Sequence, residues 1–148
     1  FEHDAAIDQA IADLNGEVYG TDFGKAYINE MVVGKDASGN VAGYVISVTS
    51  SDGYAGNISL SVGISADGTI NGIAFTELNE TAGMGMKCAD AEFKDQFNGV
   101  NTDKFTLNKA GGSTADNEID SVSGASTSSG AVVNAVNAAI DFYTANAK

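Results

Sequence analysis

Arginine is absent from this sequence. The basic residues are seven lysines against twenty acidic residues, a net charge of −13. Phosphate backbones are held by clustered positive charge, so this balance argues against nucleic acid as a partner. Anionic membrane surfaces are disfavoured for the same reason. One cysteine, Cys88, excludes an internal disulfide and any thiolate metal cluster. A lone cysteine of this kind is most often a small core residue. The sole histidine, His3, lies at a chain end, where order is usually weakest. A Ser-His-Asp hydrolase is therefore close to excluded, and zinc and transition-metal sites lack ligands. No apolar run approaches the ~20 residues of a membrane span, and "FEHDAAIDQA" shows no signal peptide. Any membrane anchor of the native protein is expected to lie outside this chain.

What is present suffices for one core, with 43% apolar residues in a chain of 148. No repeat, linker or charge block divides residues 1–148, which read as one domain. "HDAAIDQAIADLNG" sets Ile7, Ile11 and Leu14 on one stripe behind Asp4 and predicts a helix over about residues 4–15. The runs Met31–Val33 and Val41–Val48 flank "GKDASGN" and predict a β-hairpin. Ile58, Leu60, Val62 and Ile64 alternate with Ser59, Ser61 and Gly63 before a hairpin-type Asp67-Gly68. A short helix is expected at "DAEFKDQF" and strands at "FTLNK" and "NEIDSV". Val132, Val133, Val136, Ile140 and Tyr143 form the stripe of a final helix. The expected fold class is α+β: a mostly antiparallel sheet with helices packed from both chain ends. "SADGTIN" lacks the repeated acids of a Ca²⁺ loop and reads as a plain turn. Glu77 with Glu80, or Asp116 with Glu118, are best read as solvated charge on an acidic surface.

Two segments are harder to explain by packing. In "ETAGMGMK", Gly83 and Gly85 bracket Met84 and permit close backbone approach to a flat ligand, with Met84 against its face. Thr81 and Lys87 offer donors. The plainer alternative is a glycine-rich loop with Met84 and Met86 in the core. In "DSVSGASTSS", residues 120–129, six hydroxyls (Ser121, Ser123, Ser126, Thr127, Ser128 and Ser129) precede the final helix without a Gly-x-Ser-x-Gly nucleophile elbow. Ser128 or Ser129 is a natural N-cap, which accounts for one or two of them. A phosphate near Ser126–Ser129 would be stabilised by the free N–H groups and dipole of the helix start. A free dianion would oppose the field of so anionic a protein. A covalent phosphate ester of a hydroxyl lowers that charge and abolishes dissociation.

Asp120-Ser-Val-Ser-Gly-Ala-Ser126 resembles the flavinylation motif Asp-x-x-Ser/Thr-Gly-Ala-Thr/Ser of the FMN-binding domain shared by NqrC and RnfG subunits of membrane redox complexes and by extracellular flavoproteins. "GYAGNISLSVGISADGTINGIAFTELNETAGMGMK" is similar to that family's Gly-Tyr-x-Gly-x-Ile strand, hairpin and Glu-Thr-Pro-Gly-Leu-Gly loop, in the same order, and "FKDQFNG" to the segment that follows. The likeness runs from about Gly43 to the final helix. It implies FMN held by a phosphodiester to a hydroxyl, at Ser126 by position with Thr127 as the fallback, installed by a separate FMN transferase that uses FAD. It implies that Asp120 orders or identifies the loop, that Gly124 and Ala125 leave room for the transferase, and that Ser123, Thr127 and Ser128 lie beside the cofactor. Glu80, Thr81, Gly83, Met84 and Gly85 would line the flavin ring, with Lys87, Tyr54 and Gly56 as weaker candidates. Ala82 and Met84 stand where the family has Pro and Leu. No catalytic or metal-binding residue is implied. The implied function is an electron carrier, extracytoplasmic and membrane-associated through an anchor, exchanging electrons with other redox subunits or extracellular acceptors. The alternatives are a flavin reductase module for a small extracellular acceptor and a non-flavin cell-surface binding domain.

Overall fold

A computed structural model describes residues 1–78, 80 and 85–147. Helix α1, Ala5–Ala12, is capped by Asp4, whose carboxylate accepts from the Ala6 and Ile7 N–H groups at 2.9 and 3.1 Å. It ends three residues before the expected stop. Asn15 and Gly16 take positive φ values of 54° and 69°, a backbone state that closes a helix. Ile7 is buried, while Ile11 and Leu14 pack at the core's margin.

Strands β1 (Ala26–Lys35) and β2 (Val41–Ser50) form the predicted hairpin, β1 starting well before its apolar run. The Asp36 carboxylate accepts from the Ser38 and Asn40 N–H groups and sets the turn. Strands β3 (Ile58–Ser65) and β4 (Ile70–Leu78) continue an antiparallel sheet ordered β1-β2-β3-β4. Ile58, Leu60, Val62 and Ile64 are buried on alternate positions, as the period of two requires. At Asp67-Gly68 the carboxylate takes the Thr69 N–H and Gly68 adopts φ 92°. The chain start, expected to be loose, is tied to the β1 edge by paired backbone bonds between Glu2 and Val33 at 2.7 and 2.8 Å.

"DAEFKDQF" forms one α-turn, α2 (Ala91–Lys94), then a 3₁₀ turn, Asp95–Phe97. A further 3₁₀ segment, Gly85–Ala89, precedes α2. Strands β5 (Thr106–Asn108) and β6 (Glu118–Asp120) are paired in parallel, separate from the main sheet. Three-residue strands are too short to persist alone, and two side-chain amides hold them. Asn137 accepts from the Phe105 N–H at 2.7 Å and donates to its carbonyl at 2.9 Å. Gln96 does the same for Asp120, at 2.7 and 3.1 Å.

Helix α3, Ser126–Asn146, buries Val132, Val133, Val136, Ile140 and Tyr143 against β1, β2 and β3. The fold is α+β, an antiparallel sheet with helices from both chain ends, as expected. Two local expectations differ. Helix α3 starts at Ser126, so Ser128 and Ser129 lie inside its first turn and are not N-caps. Met86 is 37% exposed and not a core residue, and Met84 lies outside the described residues.

Candidate functional site

The segment 120–125 turns sharply from β6 into α3, with Gly124 at φ 77°, a conformation that glycine adopts without strain. Its shape is held from within. The Ser129 hydroxyl donates to the Ala125 carbonyl at 2.8 Å and accepts the Val122 N–H at 3.0 Å. One Asp120 carboxylate oxygen accepts both the N–H and the hydroxyl of Ser113. Asp120 thus anchors the turn, and its remaining backbone groups pair with Gln96.

The hydroxyls at the helix start fall into two classes. Ser128 is buried and donates to Glu80 Oε1 at 2.6 Å, and Ser129 is buried and engaged in the turn. Ser126 and Thr127 are exposed and have no hydrogen-bond partner among the described residues. No side chain caps α3, because its N-cap residue is Ala125. First-turn N–H groups and the positive end of the helix dipole therefore face the same place as these two hydroxyls.

That place is a cleft of about 170 Å³ lined by Tyr54, Gly85, Gly124, Ala125, Ser126, Thr127 and Ser128. All seven are residues singled out in the sequence, gathered from three distant segments. Tyr54 stands at the lip, 76% exposed. Gly85 forms part of the wall: a β-carbon there would stand 2.5 Å from both Glu80 Cβ and Ser128 Oγ. Asp120, Ser123 and Lys87 lie on the other side of the turn, in a second cleft of about 430 Å³ shared with Asp90, Glu92 and Phe93. Gly56 lines neither cleft, and Thr81, Gly83 and Met84 lie outside the described residues.

Glu80, expected from its pairing with Glu77 to be solvated charge, is instead buried behind the first cleft, 8% exposed, because three donors replace water around its carboxylate. Its Oε1 accepts the Tyr54 N–H at 2.7 Å and its Oε2 the Ala55 N–H at 2.8 Å, beside the bond from Ser128. It therefore joins the approach to β3 to the start of α3. Cys88 lies beneath, fully buried, its thiol pushed up to about 11 chiefly by burial, partly opposed by Ser129 and reinforced by the charge of Glu80. Sequence reading missed Ser113, Gln96 and Ser129 as holders of the turn. Only the Ser129 spacing, four residues after Ala125, carried a local signal, since a serine four residues on reaches back to a carbonyl.

The chain is similar to known proteins in sequence and in fold. The family model of the FMN-binding domain matches residues 53–141. The chain is 37% identical over 115 residues to the RnfG-type component of the Na(+)-translocating ferredoxin:NAD(+) oxidoreductase complex of Acetobacterium woodii, covering 77% of this chain and 55% of that protein. It is 40% identical over 113 residues to the corresponding component of the ion-translocating oxidoreductase complex of Methanosarcina acetivorans, covering 76% and 57%. It thus spans little more than half the length of these relatives. Among solved structures, NqrC of Shewanella oneidensis shares the fold with a TM-score of 0.63 at 22% identity, over 82% of this chain and 61% of that one. The NqrC-type component of the Na(+)-translocating NADH-quinone reductase of Parabacteroides distasonis does so with a TM-score of 0.57 at 19% identity, over 79% and 76%. With most of the chain matched by the family model and the fold shared with solved relatives, this protein belongs to the FMN-binding domain family.

Proposed function

We propose that this domain is an electron carrier holding FMN through a phosphodiester to Ser126, with Thr127 as the alternative acceptor. One observation carries the choice: of the four consecutive hydroxyls 126–129, two are buried and hydrogen-bonded, while Ser126 and Thr127 open into the cleft at an uncapped helix start. The residues present fit the group. First-turn N–H groups and the helix dipole favour its phosphate without any arginine. Tyr54 and the Gly85 wall offer a surface for the ring. When bound, FMN supplies one- and two-electron redox chemistry, and the chain sets its position and exposure.

In this reading a separate FMN transferase using FAD installs the cofactor, and the turn 120–125 presents Ser126 to it. The exposed cleft allows electron exchange with other redox subunits or extracellular acceptors. The site is extracytoplasmic and held to the membrane by an anchor other than the described helices, none of which is long and apolar enough to cross a membrane. Co-expression with a flavin transferase, followed by intact mass and in-gel fluorescence, tests the linkage. A gain of one FMN less one water is expected, and an unchanged mass overturns the proposal. Ser126→Ala is expected to abolish that gain and Thr127→Ala to retain it. The reverse pattern moves the attachment to Thr127.

A further inference from the structure

Twenty acidic residues populate this chain, yet among the described residues Glu80 is the one buried. No lysine or histidine of the described residues lies within ion-pair distance of it. Among the described residues its three partners all donate: the N–H groups of Tyr54 and Ala55 and the hydroxyl of Ser128. Three donors directed at two oxygens are the coordination of an ionised carboxylate, because a protonated carboxyl would itself need an acceptor. Among the described residues the charge is offset by dipoles and by no cation. Its place is also specific. Tyr54 and Ser128, which it bonds, and Gly85, which packs against its Cβ, are three of the residues lining the cleft. A fixed negative charge therefore stands one residue layer behind the proposed flavin position, in surroundings where charge is weakly screened.

We infer that Glu80 is a positioning residue that also tunes the cofactor: its buried carboxylate holds the reduction potential of the bound flavin low. The inference rests on the cleft being the flavin site. Two-electron reduction with uptake of one proton from solvent leaves one added negative charge on the ring, the electrons coming from the electrode in the titration below, so a nearby anion favours the oxidised form. A clamp serving structure alone would leave the potential unmoved when its charge is removed at constant shape. Glu80→Gln keeps the length and one acceptor oxygen while removing the charge, its amide NH2 standing against one of the backbone donors, so the Ser128→Ala arm below, which leaves both oxygens in place, is read beside it.

The test uses wild-type protein flavinylated by co-expression, beside Glu80→Gln and Ser128→Ala, each titrated electrochemically while the flavin absorbance is followed. Glu80→Gln is expected to shift the midpoint potential to more positive values. An unchanged or more negative potential overturns the inference. Ser128→Ala keeps the charge and removes one of its three donors, so its midpoint is expected to become more negative. This arm decides the question if the Gln variant does not fold or take up flavin, and an unchanged or more positive value there overturns the inference. Wild-type protein without flavin would refute the cleft assignment instead, a result separate from either shift.

Discussion

Four adjacent hydroxyls at residues 126–129 are chemically near-equivalent and differ in what surrounds them. Ser128 and Ser129 are held by buried partners, so their loss removes packing and hydrogen bonds, while Ser126 and Thr127 face the cleft. Gly85 shows how closely this region is fitted, since any side chain there collides with Glu80 and Ser128. Gly85→Ala is expected to destabilise by about 1–3 kcal/mol, read from urea midpoints, as overpacked sites generally do. Cys88 makes a pH prediction. Its thiol moves from the ordinary 9.0 to about 11 on folding, so the folded state keeps a proton that the unfolded chain releases. The stabilisation is complete below the unfolded value and is lost as pH rises through the folded one, amounting to up to about 3 kcal/mol. Tyr19, raised by burial and by its bond to Asp141, adds a loss of the same sign at higher pH. Urea midpoints measured either side of this window are expected to fall with pH, and Cys88→Ala to flatten the lower part of that fall.

Among the elements, β3 and the apolar stripe of α3 were the most legible, because burial on one face imposes a period that neighbouring residues display by themselves. The strands β5 and β6 were located by composition, but their parallel pairing was not. It depends on Asn137, 32 residues from Phe105, and on Gln96, 24 residues from Asp120. No local pattern announces such contacts. Asn137→Ala leaves a buried N–H and a buried carbonyl at Phe105 without their partner. Each orphaned group costs about 1–3 kcal/mol, so a clear drop in the urea midpoint is expected. If β6 loosens with β5, the turn anchored at Asp120 loosens too, and flavin incorporation is expected to fall alongside stability. The start of α3 shows the limit of local signals from the other side. Ser128 and Ser129 are good caps by residue type, yet Gly124 bends the chain so that the helix begins three to four residues earlier than either would cap it.

At the scale of the whole molecule, a net charge of −13 without arginine makes the field around the cleft anionic, with the N-terminus of α3 a local exception. Flavinylated protein is expected to exchange electrons faster with cationic than with anionic mediators. Stopped-flow rates are expected to converge as ionic strength rises and the Debye length shrinks. Equal rates at low salt would show that the acidic surface does not govern encounter. The sequence by itself determined the α+β class, the sheet hairpins, the final helix and the segments that meet at the cleft. The first three follow from periodicity and turn chemistry within short stretches of chain, and the last from the resemblance of ordered motifs to the FMN-binding domain family. Only the tertiary structure decided which hydroxyls are open, that Asp120 faces Ser113 and not the first cleft, and that Glu80 lies behind the cleft wall. Exposure and hydrogen bonding are set by what packs alongside, and Glu80 reaches Ser128 across 48 residues of sequence.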